Sequence, residues 1–526
     1  MHRTGTSRQW LPLVICTMTA MVVGLAQQQL ISRSTGADSA APAANSGGGL
    51  PPGKQPAFQG WDKPAAVLVL TGEQQAYLEP CGCTENQTGG LARRADLFHQ
   101  LWARKWPTVA VDVGGDLDGR RLSRDQAMLK LEFFRKALQH MRYSGVALGR
   151  EELRLGSEKL FELHSLWSSE DDFDLPFLSA NVTLLSTRDI GTPLEYRIVE
   201  AGGRRFGITS VIGRTRAKDL PETDESLLRI DDPKQSLAGV LPRMKAERPD
   251  ILVLLAHAED EESIELAKAF PDFHVVVTAG GPEDPEGKEE RIGNTLFVQV
   301  GRKGKHTACV AVTGPRERPV LKFELVEMDR HRFGNAPEMT QLMREYQQQI
   351  IDQRPDHNFE LTFDRQATFV GVDQCKDCHK QAYDVWVKTG HANAFESLKH
   401  GRHDEPKESI VDRQYDPECL ACHVTGWAPQ DALRYRSGFV DFASTPHLAG
   451  QQCENCHGPG SRHVELELEF QKSNKMTDAL EKARDDVRET RACDDCHDHD
   501  NSPNFDYEIY WHGRDGKIAV EHSGVD

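Results

Sequence analysis

The sequence predicts a protein of two unlike parts, an α/β domain followed by a mainly helical domain with little regular strand. From about residue 65 to residue 326, short runs rich in β-branched residues alternate with helix-like amphipathic stretches. After residue 370 such strand patterns become scarce, and the chain beyond residue 366 holds 12 of the 21 His and eight of the 12 Cys. The second part therefore has little apolar sequence from which to build a core.

Length and composition restrict the class of protein. The chain has 526 residues, and because domains commonly have about 100 to 200 residues, at least two are expected. An apolar share of 38%, a charged share of 27% and 21 Phe exclude a disordered chain, a fibre and a multi-span membrane protein. The formal net charge of -18 disfavours nucleic acid as a partner, since its binding needs a basic surface. It favours basic protein partners instead.

The N-terminus carries the pattern of an export signal. Basic residues with no acid precede an apolar stretch from Trp10 to Ala26, which fits either a cleaved signal peptide or a single membrane anchor. We assign residues 1–32 to this segment. Residues 33–60 are expected to form a flexible linker, because they are rich in Ser, Ala, Gly and Pro. Either alternative exports the rest of the chain, to the periplasm or to the outer side of the cytoplasmic membrane, where an anchor would tether it.

Residues 61–330 contain six runs typical of buried strands. Near-continuous apolar strands bounded by glycine and separated by helices indicate a sheet covered by helices. A polar helix over residues 335–355, ended by Pro355, is expected within a connecting segment, residues 331–366. The six strand candidates are AAVLVL (65–70), TVAVDVG (108–114), RFGITSVIG (205–213), ILVLLAH (251–257), FHVVVTAG (273–280) and LFVQVG (296–301).

Four Cys-x-x-Cys-His units mark the remaining domain, residues 367–526. Covalent attachment of haem c needs two thiols, one for each vinyl group, followed at once by a His that ligates the iron. Zinc ribbons or disulfides would not require that His four times over. We therefore predict four covalently attached haems. The attachment cysteines are Cys375, Cys378, Cys419, Cys422, Cys453, Cys456, Cys493 and Cys496, and the proximal histidines are His379, His423, His457 and His497.

The sixth iron ligand decides the chemistry, since an iron closed by two histidines carries electrons and an open iron can bind a small molecule. Eight further histidines compete for at most four positions. His391 lies 12 residues after His379, about 18 Å along a helix at 1.5 Å per residue, so it is expected to reach a neighbouring haem. The eight candidates are His391, His400, His403, His447, His463, His499, His512 and His522.

The sequence around the four motifs resembles the tetrahaem cytochrome c-554 family. The resemblance covers about residues 368–526 and rests on GVDQCKDCHKQAYDVWVKTGHANAF, DPECLACHVTGW, QQCENCHGPGSRH and CDDCHDHDNSPNFDYEIYWHGRDGKIAVEH. It implies three haems with two His ligands each and one haem, held by the second motif, with an open face. It also implies distal ligands at His391, His463 and His522, with the open face at His423.

Residues 65–326 are similar to the calcineurin-like metallophosphoesterase domain of 5'-nucleotidases and sulfate thiol esterases. This similarity implies an α/β sandwich with its sites at strand ends. Two-metal hydrolysis by such a domain needs carboxylate, Asn and His ligands around a pair of ions. The segments that match are GGLARRA (89–95), VDVGGDLDG (111–119), VALGREELRLG (146–156), SANV (179–182), ILVLLAHAED (251–260) and VVVTAGG (275–281).

Most of those metal ligands are missing. The family's Asp-x-His is replaced by TGEQQAY, its Gly-Asn-His-Glu by Gly-Arg-Glu-Glu at residues 149–152, and its Gly-His-x-His by GGPED. We therefore expect a degenerate domain that is not an active phosphatase. It would be a scaffold, or a pocket for an anion held by Arg150. The remnants of a metal site would be Asp112 or Asp116, Glu151 or Glu152, and His257.

One cysteine pair complicates this view of the α/β domain. Cys81 and Cys83 stand just before GGLARRA, near where the first metal ligands would be. They could hold an additional metal or form a redox pair, and a local disulfide or two buried thiols are the alternatives.

Three functions fit these patterns. The leading one is an exported tetrahaem electron-transfer protein with redox protein partners, whose α/β domain positions it or binds a partner. The second is a haem oxidoreductase that acts on a small nitrogen or sulfur compound at the open iron, where Tyr415, His447 or Arg413 could assist. The third is a redox-linked phosphoesterase, which would need bound divalent metal. The sequence alone assigns no catalytic residue.

Overall fold

The structure is a computed structural model that describes residues 55–80, 87–117, 123–170, 175–218, 220, 227–355, 360–363, 367–401, 407–488, 491, 493–513 and 519–522. The expected signal segment, the linker up to residue 54, and Cys81 with Cys83 lie outside these residues. Within the described ranges, no helix is long and apolar enough to cross a membrane.

Two six-stranded sheets form the centre of the α/β half. In spatial order, the first sheet contains β14 (Val320–Glu327), β13 (His306–Thr313), β1 (Ala66–Thr71), β2 (Thr108–Asp112), β3 (Tyr143–Ala147) and β4 (Phe177–Leu178). The second contains β11 (Glu290–Ile292), β12 (Thr295–Gln299), β10 (Val275–Thr278), β9 (Ile251–His257), β7 (Arg204–Ile212) and β6 (Tyr196–Ala201). A separate pair joins β5 (Val182–Leu184) to β8 (Leu228–Ile230).

The parallel strands place the candidate site residues of the α/β half at the carboxyl-terminal edge of the sheets. Strands β1 to β4 run parallel to one another, as do β7, β9, β10 and β12. Their carboxyl ends therefore meet, and the loops that follow β1, β2, β3 and β9 come together. All six strands predicted from the sequence are present, which confirms the α/β class of this half.

The sheets pack face to face and are enclosed by helices. Their facing surfaces share one apolar core to which Leu68, Val111, Ile208 and Val253 contribute fully buried side chains. Helices on the outer faces bury the other side of each sheet, which explains why the strands are apolar throughout. The first sheet is covered by α1 (Leu91–Ala103), α2 (Arg124–His140) and α8 (Pro337–Gln353), and the second by α6 (Pro233–Ala246) and α7 (Asp260–Ala269).

Local sequence signals begin two of these helices. The Ser123 hydroxyl accepts a hydrogen bond from the Gln126 amide at 3.2 Å and caps α2. Asp232 caps α6 in the same way, and Pro233 follows at a first-turn position that needs no N–H donor. Three further helices belong to the described part of this half: α3 (Arg150–Leu153), α4 (Ser157–Glu170) and α5 (Arg214–Lys218).

The polar helix expected as a connector is α8, and it is built into the α/β half. Met339, Leu342, Met343, Tyr346 and Ile350 form a buried stripe against α1 and α2. Their spacing of three and four residues places them on one face. The polar residues between them face outward, which is why the segment looks polar in sequence.

The second half is mainly helical with little regular strand, as predicted. Its small core contains Phe395, Leu420, Trp427 and Phe439. Three short strands form one sheet: β15 (Glu360–Leu361), β16 (Trp427–Ala428) and β17 (Leu433–Tyr435). The helices are α9 (Lys380–Trp386), α10 (Ala394–His400), α11 (Pro417–His423), α12 (Cys453–His457), α13 (Ser461–Ser473), α14 (Asp478–Arg488) and α15 (Tyr507–His512).

Candidate functional sites

Each Cys-x-x-Cys-His motif folds into a single helical turn. The second motif ends α11 and the third motif forms α12. In the first and fourth motifs, the His379 and His497 amides donate to the carbonyls of the first cysteine of each motif, both at 2.9 Å. Residues i, i+3 and i+4 of such a turn share one face, so both thiols and the imidazole of each motif are presented together, as covalent haem attachment requires.

Three histidine pairs have the spacing of axial iron ligands. Two imidazole nitrogens, each about 2 Å from a metal, hold their ring centroids roughly 6 Å apart. The ring centroids of His379 and His463 are 6.4 Å apart, those of His391 and His497 6.0 Å, and those of His457 and His522 6.0 Å. All three distal histidines named from the sequence therefore lie beside a proximal histidine, each at a different motif.

The backbone and side chains around the motifs orient the proximal imidazoles. The Nδ1 atom of His423 lies 2.6 Å from the Ala394 carbonyl oxygen, and that of His457 lies 2.7 Å from the Val487 carbonyl oxygen. The Nδ1 atom of His497 lies 2.9 Å from the Ser502 hydroxyl. A hydrogen bond at Nδ1 fixes the ring and leaves Nε2 for iron. These histidines thus fit a haem group.

Thiols of different motifs lie against one another. The Cys375 thiol is hydrogen-bonded to that of Cys453, and this bond together with burial raises the pKa of Cys375. The Cys496 and Cys422 thiols are paired in the same way, which raises the pKa of Cys496. The first motif is therefore packed against the third, and the second against the fourth.

The surroundings of three partly buried histidines favour the neutral imidazole. Burial lowers the pKa of His391 to about 4, and the neighbouring His497 and His423 lower it further in the same direction. Burial also lowers the pKa of His457 and of His463. A neutral imidazole is the form that ligates a metal.

The other four candidate histidines that the structure describes are exposed. The side chain of His400 is 75% exposed beside Glu396, and His512 is bonded to Glu521. His447 and His499 are exposed. His403 lies outside the described residues.

The loops after β2 and β3 of the α/β half carry three of the residues named as remnants of a metal site. Glu152 accepts hydrogen bonds from the backbone amides of Asp116 at 2.8 Å and Leu117 at 3.0 Å, and burial raises its pKa to about 7. Burial also raises the pKa of Asp112, and it raises that of Asp116 well above the usual range, where Asp112 and Glu152 add to the effect. Glu151 instead pairs with Arg150 and Arg154 toward the outside.

An arginine from α5 supplies the positive charge at this edge. Arg216 donates to Glu73 Oε1 at 2.7 Å and to Glu259 Oε1 at 3.0 Å, and its Nη1 lies 3.3 Å from Nε2 of His257. Arg216, Glu73 and His257 are all buried. Burial lowers the pKa of His257 to about 3, and Arg216 lowers it further in the same direction. The guanidinium of Arg216 thus lies between two carboxylates and beside an imidazole that is kept from gaining a proton.

The residues of this edge do not fit a two-metal centre. Across the described part of the chain, no group of three or more His, Cys, Asp or Glu could hold a metal ion. Arg150, which the sequence suggested as an anion holder, directs its side chain to Glu151 at 3.0 Å. Its amide donates to His257 at 3.1 Å. Arg150 and Arg216 are each paired with a carboxylate at this edge.

Residues 374–458 match the family described as cytochrome c554 and c-prime. A stretch of 150 residues is 35% identical to cytochrome c-554 of Nitrosomonas europaea, in a match that covers 26% of this chain and 61% of that protein. The chain thus spans about three fifths of the relative's length. The C-terminal half is accordingly similar to cytochrome c554, and this similarity implies covalently bound haem c.

Three solved structures are similar to this chain at low sequence identity. The 5'-nucleotidase precursor of Thermus thermophilus is 20% identical, with a TM-score of 0.47 over 62% of this chain and 68% of that one. The sulfate thiohydrolase SoxB of Thermus thermophilus is 14% identical, with a TM-score of 0.46 over 64% and 68%. The phosphoesterase YfkN of Bacillus subtilis is 16% identical, with a TM-score of 0.43 over 55% and 98%.

Two of the assisting residues considered for the cytochrome c554-like domain face the α/β half. Arg413 pairs with Glu79 of the α/β half. The Tyr415 ring lies 5.3 Å from the guanidinium of Arg354. Both are therefore occupied by packing between the halves.

Two functional residues of the α/β half were missed in the sequence. Glu73 lies in the TGEQQAY run that replaces a metal-binding motif, and Arg216 lies in the short helix α5. The basic run GRTRAK (213–218), which contains Arg216, matches no motif. The two side chains pair because the fold brings together the loops after β1, β7 and β9, which the sequence does not show.

Proposed function

We propose that this chain is an exported tetrahaem c-type cytochrome that transfers electrons between redox partners outside the cytoplasm. The three histidine pairs carry the proposal, because each has the spacing of two ligands on one iron. Three haems would be closed by His391, His463 and His522. The haem of Cys419, Cys422 and His423 would keep an open face, as the resemblance to cytochrome c-554 implies.

The contacts between motifs support electron transfer along a row of four haems. The first motif is packed on the third through Cys375 and Cys453. The third lies near the fourth, since the amide of Arg491, two residues before Cys493, donates to the Cys456 carbonyl at 2.9 Å. The fourth is packed on the second through Cys496 and Cys422. Haem c supplies a reversible one-electron centre at each motif, so the first and second motifs are the two ends of the row.

The α/β half is proposed to be a scaffold rather than a phosphoesterase. Its former metal edge holds the Arg216 guanidinium between Glu73 and Glu259. This arrangement favours a role in positioning the cytochrome half or in binding a partner. Export through residues 1–32 to the periplasm or the outer membrane surface, with or without a tether, belongs to the same proposal.

A haem oxidoreductase is the second candidate. The three distal histidines named from the sequence all lie beside the other three motif histidines, which agrees with an open face at the second motif. An open iron there would bind a small nitrogen or sulfur compound.

Electron exchange with a partner of known charge tests the leading proposal. Since the net charge is -18, we expect fast reduction by a basic c-type cytochrome, with a second-order rate constant that falls as salt is raised. An acidic flavodoxin-type donor serves as the control, and its rate should rise with salt. If the rate constant with the basic cytochrome did not change with salt concentration, charge-steered electron transfer would be contradicted.

A further inference from the structure

The second motif is anchored by the α/β half through one buried carboxylate. Asp416 begins α11, where its side chain accepts a hydrogen bond from the Glu418 amide at 3.1 Å. The same carboxylate accepts from Gln126 Nε2 of α2 at 2.9 Å and from Gln347 Nε2 of α8 at 2.7 Å. All three anchoring side chains are at most 4% exposed. The residue that starts the motif helix is thus held by two helices of the other half.

Further contacts surround this anchor. Lys130, four residues after Gln126 on α2, pairs with Glu418. Val411 is buried in the same apolar cluster as Met339 and Leu342 of α8. With the pairing of Arg413 and Glu79, the segment before and within α11 shares the core of the α/β half.

Further hydrogen bonds connect this anchor to the loops that follow β1, β2 and β3. Lys130 Nζ donates to the Ala76 carbonyl at 3.0 Å, and the Ala76 amide donates to the Asp116 carbonyl. Glu152 in turn binds the amides of the loop from Gly115 to Leu117. Loops that would carry metal ligands in a phosphoesterase now support the helix of the second motif.

The first and third motifs differ. Cys378 and Cys456 are exposed, and the buried Glu454 of the third motif bonds the amides of Val370, Gly371 and Gly460 within its own half. The fourth motif is approached from the α/β half only beyond its histidine, where Asp500 meets Lys303 and Gln87. Among the described contacts, the second motif is the one whose helix and helix cap are bonded directly by side chains of the α/β half.

We infer that the α/β half is a built-in support for the second motif, with Asp416 as the positioning residue that fixes α11 and therefore the imidazole of His423. The inference rests on the proposed tetrahaem function and deepens it. The α/β half would then hold in place the haem that keeps an open face.

The test uses the full-length protein with Gln126→Leu and Gln347→Leu combined, and carbon monoxide as the probe. We expect four haems per chain as in the wild type, with a several-fold change in the carbon monoxide dissociation constant and a shifted midpoint potential of the reactive haem. The other three haems should titrate as before. Gln100→Leu on α1 is the matched control, since Gln100 bonds Asp96 and Arg332 within the α/β half. It should change none of these values.

A second pair of variants keeps the test decisive if the double variant folds poorly. Asp416→Ser retains a helix cap but loses the carboxylate, whereas Asp416→Ala loses both. Both should perturb the same single haem. Unchanged carbon monoxide binding and potentials in folded Asp416→Ser protein would overturn the inference. A wild type with fewer than four haems would instead refute the proposed tetrahaem function, and a wild type with no carbon monoxide response would refute the open face at the second motif.

Discussion

Replacing His463 with alanine is expected to double the carbon monoxide response, from about one haem in four to about two in four, because an iron that loses one of two His ligands gains an open face. His463 lies on α13 with its ring centroid 6.4 Å from that of His379. Its replacement removes no structural hydrogen bond at Nδ1, which lacks a hydrogen-bond partner among the described residues. The measurement is a carbon monoxide difference spectrum normalised to the pyridine haemochrome count.

His400→Ala is the matched control for His463→Ala. His400 ends α10 in the same half, and its side chain is 75% exposed. Its replacement should leave the response near one haem in four. An unchanged carbon monoxide response in His463→Ala, with four haems retained, would contradict the assignment of His463 as an axial ligand.

Replacing Arg216 with methionine is expected to lower the free energy of unfolding of the α/β half by about 3 to 5 kcal/mol, because it leaves the buried Glu73 carboxylate without its cation. Glu73 is 5% exposed and is bonded to Arg216 at 2.7 Å. Chemical denaturation followed by tryptophan fluorescence measures the loss. Adding Glu73→Gln to the variant should recover part of it, since the stranded charge is removed.

Lys245→Met on α6 provides the comparison. Lys245 is 51% exposed and pairs with Asp272, which is 45% exposed, and an exposed pair contributes only about 0 to 1 kcal/mol. If Arg216→Met were no more destabilising than Lys245→Met, the view that the Arg216 guanidinium stabilises this edge of the α/β half would be wrong.

The α/β fold was predictable where one strand contains enough apolar sequence. ILVLLAH became β9, buried along its whole length. The run YSGVA, which forms β3, was missed because Ser and Gly interrupt it. Strand β14 was also missed, since its residues alternate between buried and exposed positions on an outer strand. The buried stripe of α8 was hidden by polar neighbours, because only packing on α1 and α2 decides which face is covered.

Whether a site residue could be predicted likewise depends on whether its contacts are local or between distant parts of the chain. The attachment cysteines and proximal histidines lie within five consecutive residues, so one helical turn sets their geometry and the sequence is sufficient. The pairing of His391 with His497 joins residues more than a hundred positions apart, and the sequence could indicate only that His391 reaches another haem. Arg216 and Glu73 are 143 residues apart, and no local pattern signals their contact.

The central claim is a chain with four haems, three closed and one open. It is tested most directly by a pyridine haemochrome count on the wild-type holoprotein, followed by its absorption spectrum with carbon monoxide in the reduced state. We predict four haems per chain, with about one in four shifted by carbon monoxide. Fewer than four haems would contradict the tetrahaem assignment, and four haems with no shift would contradict the open face at His423.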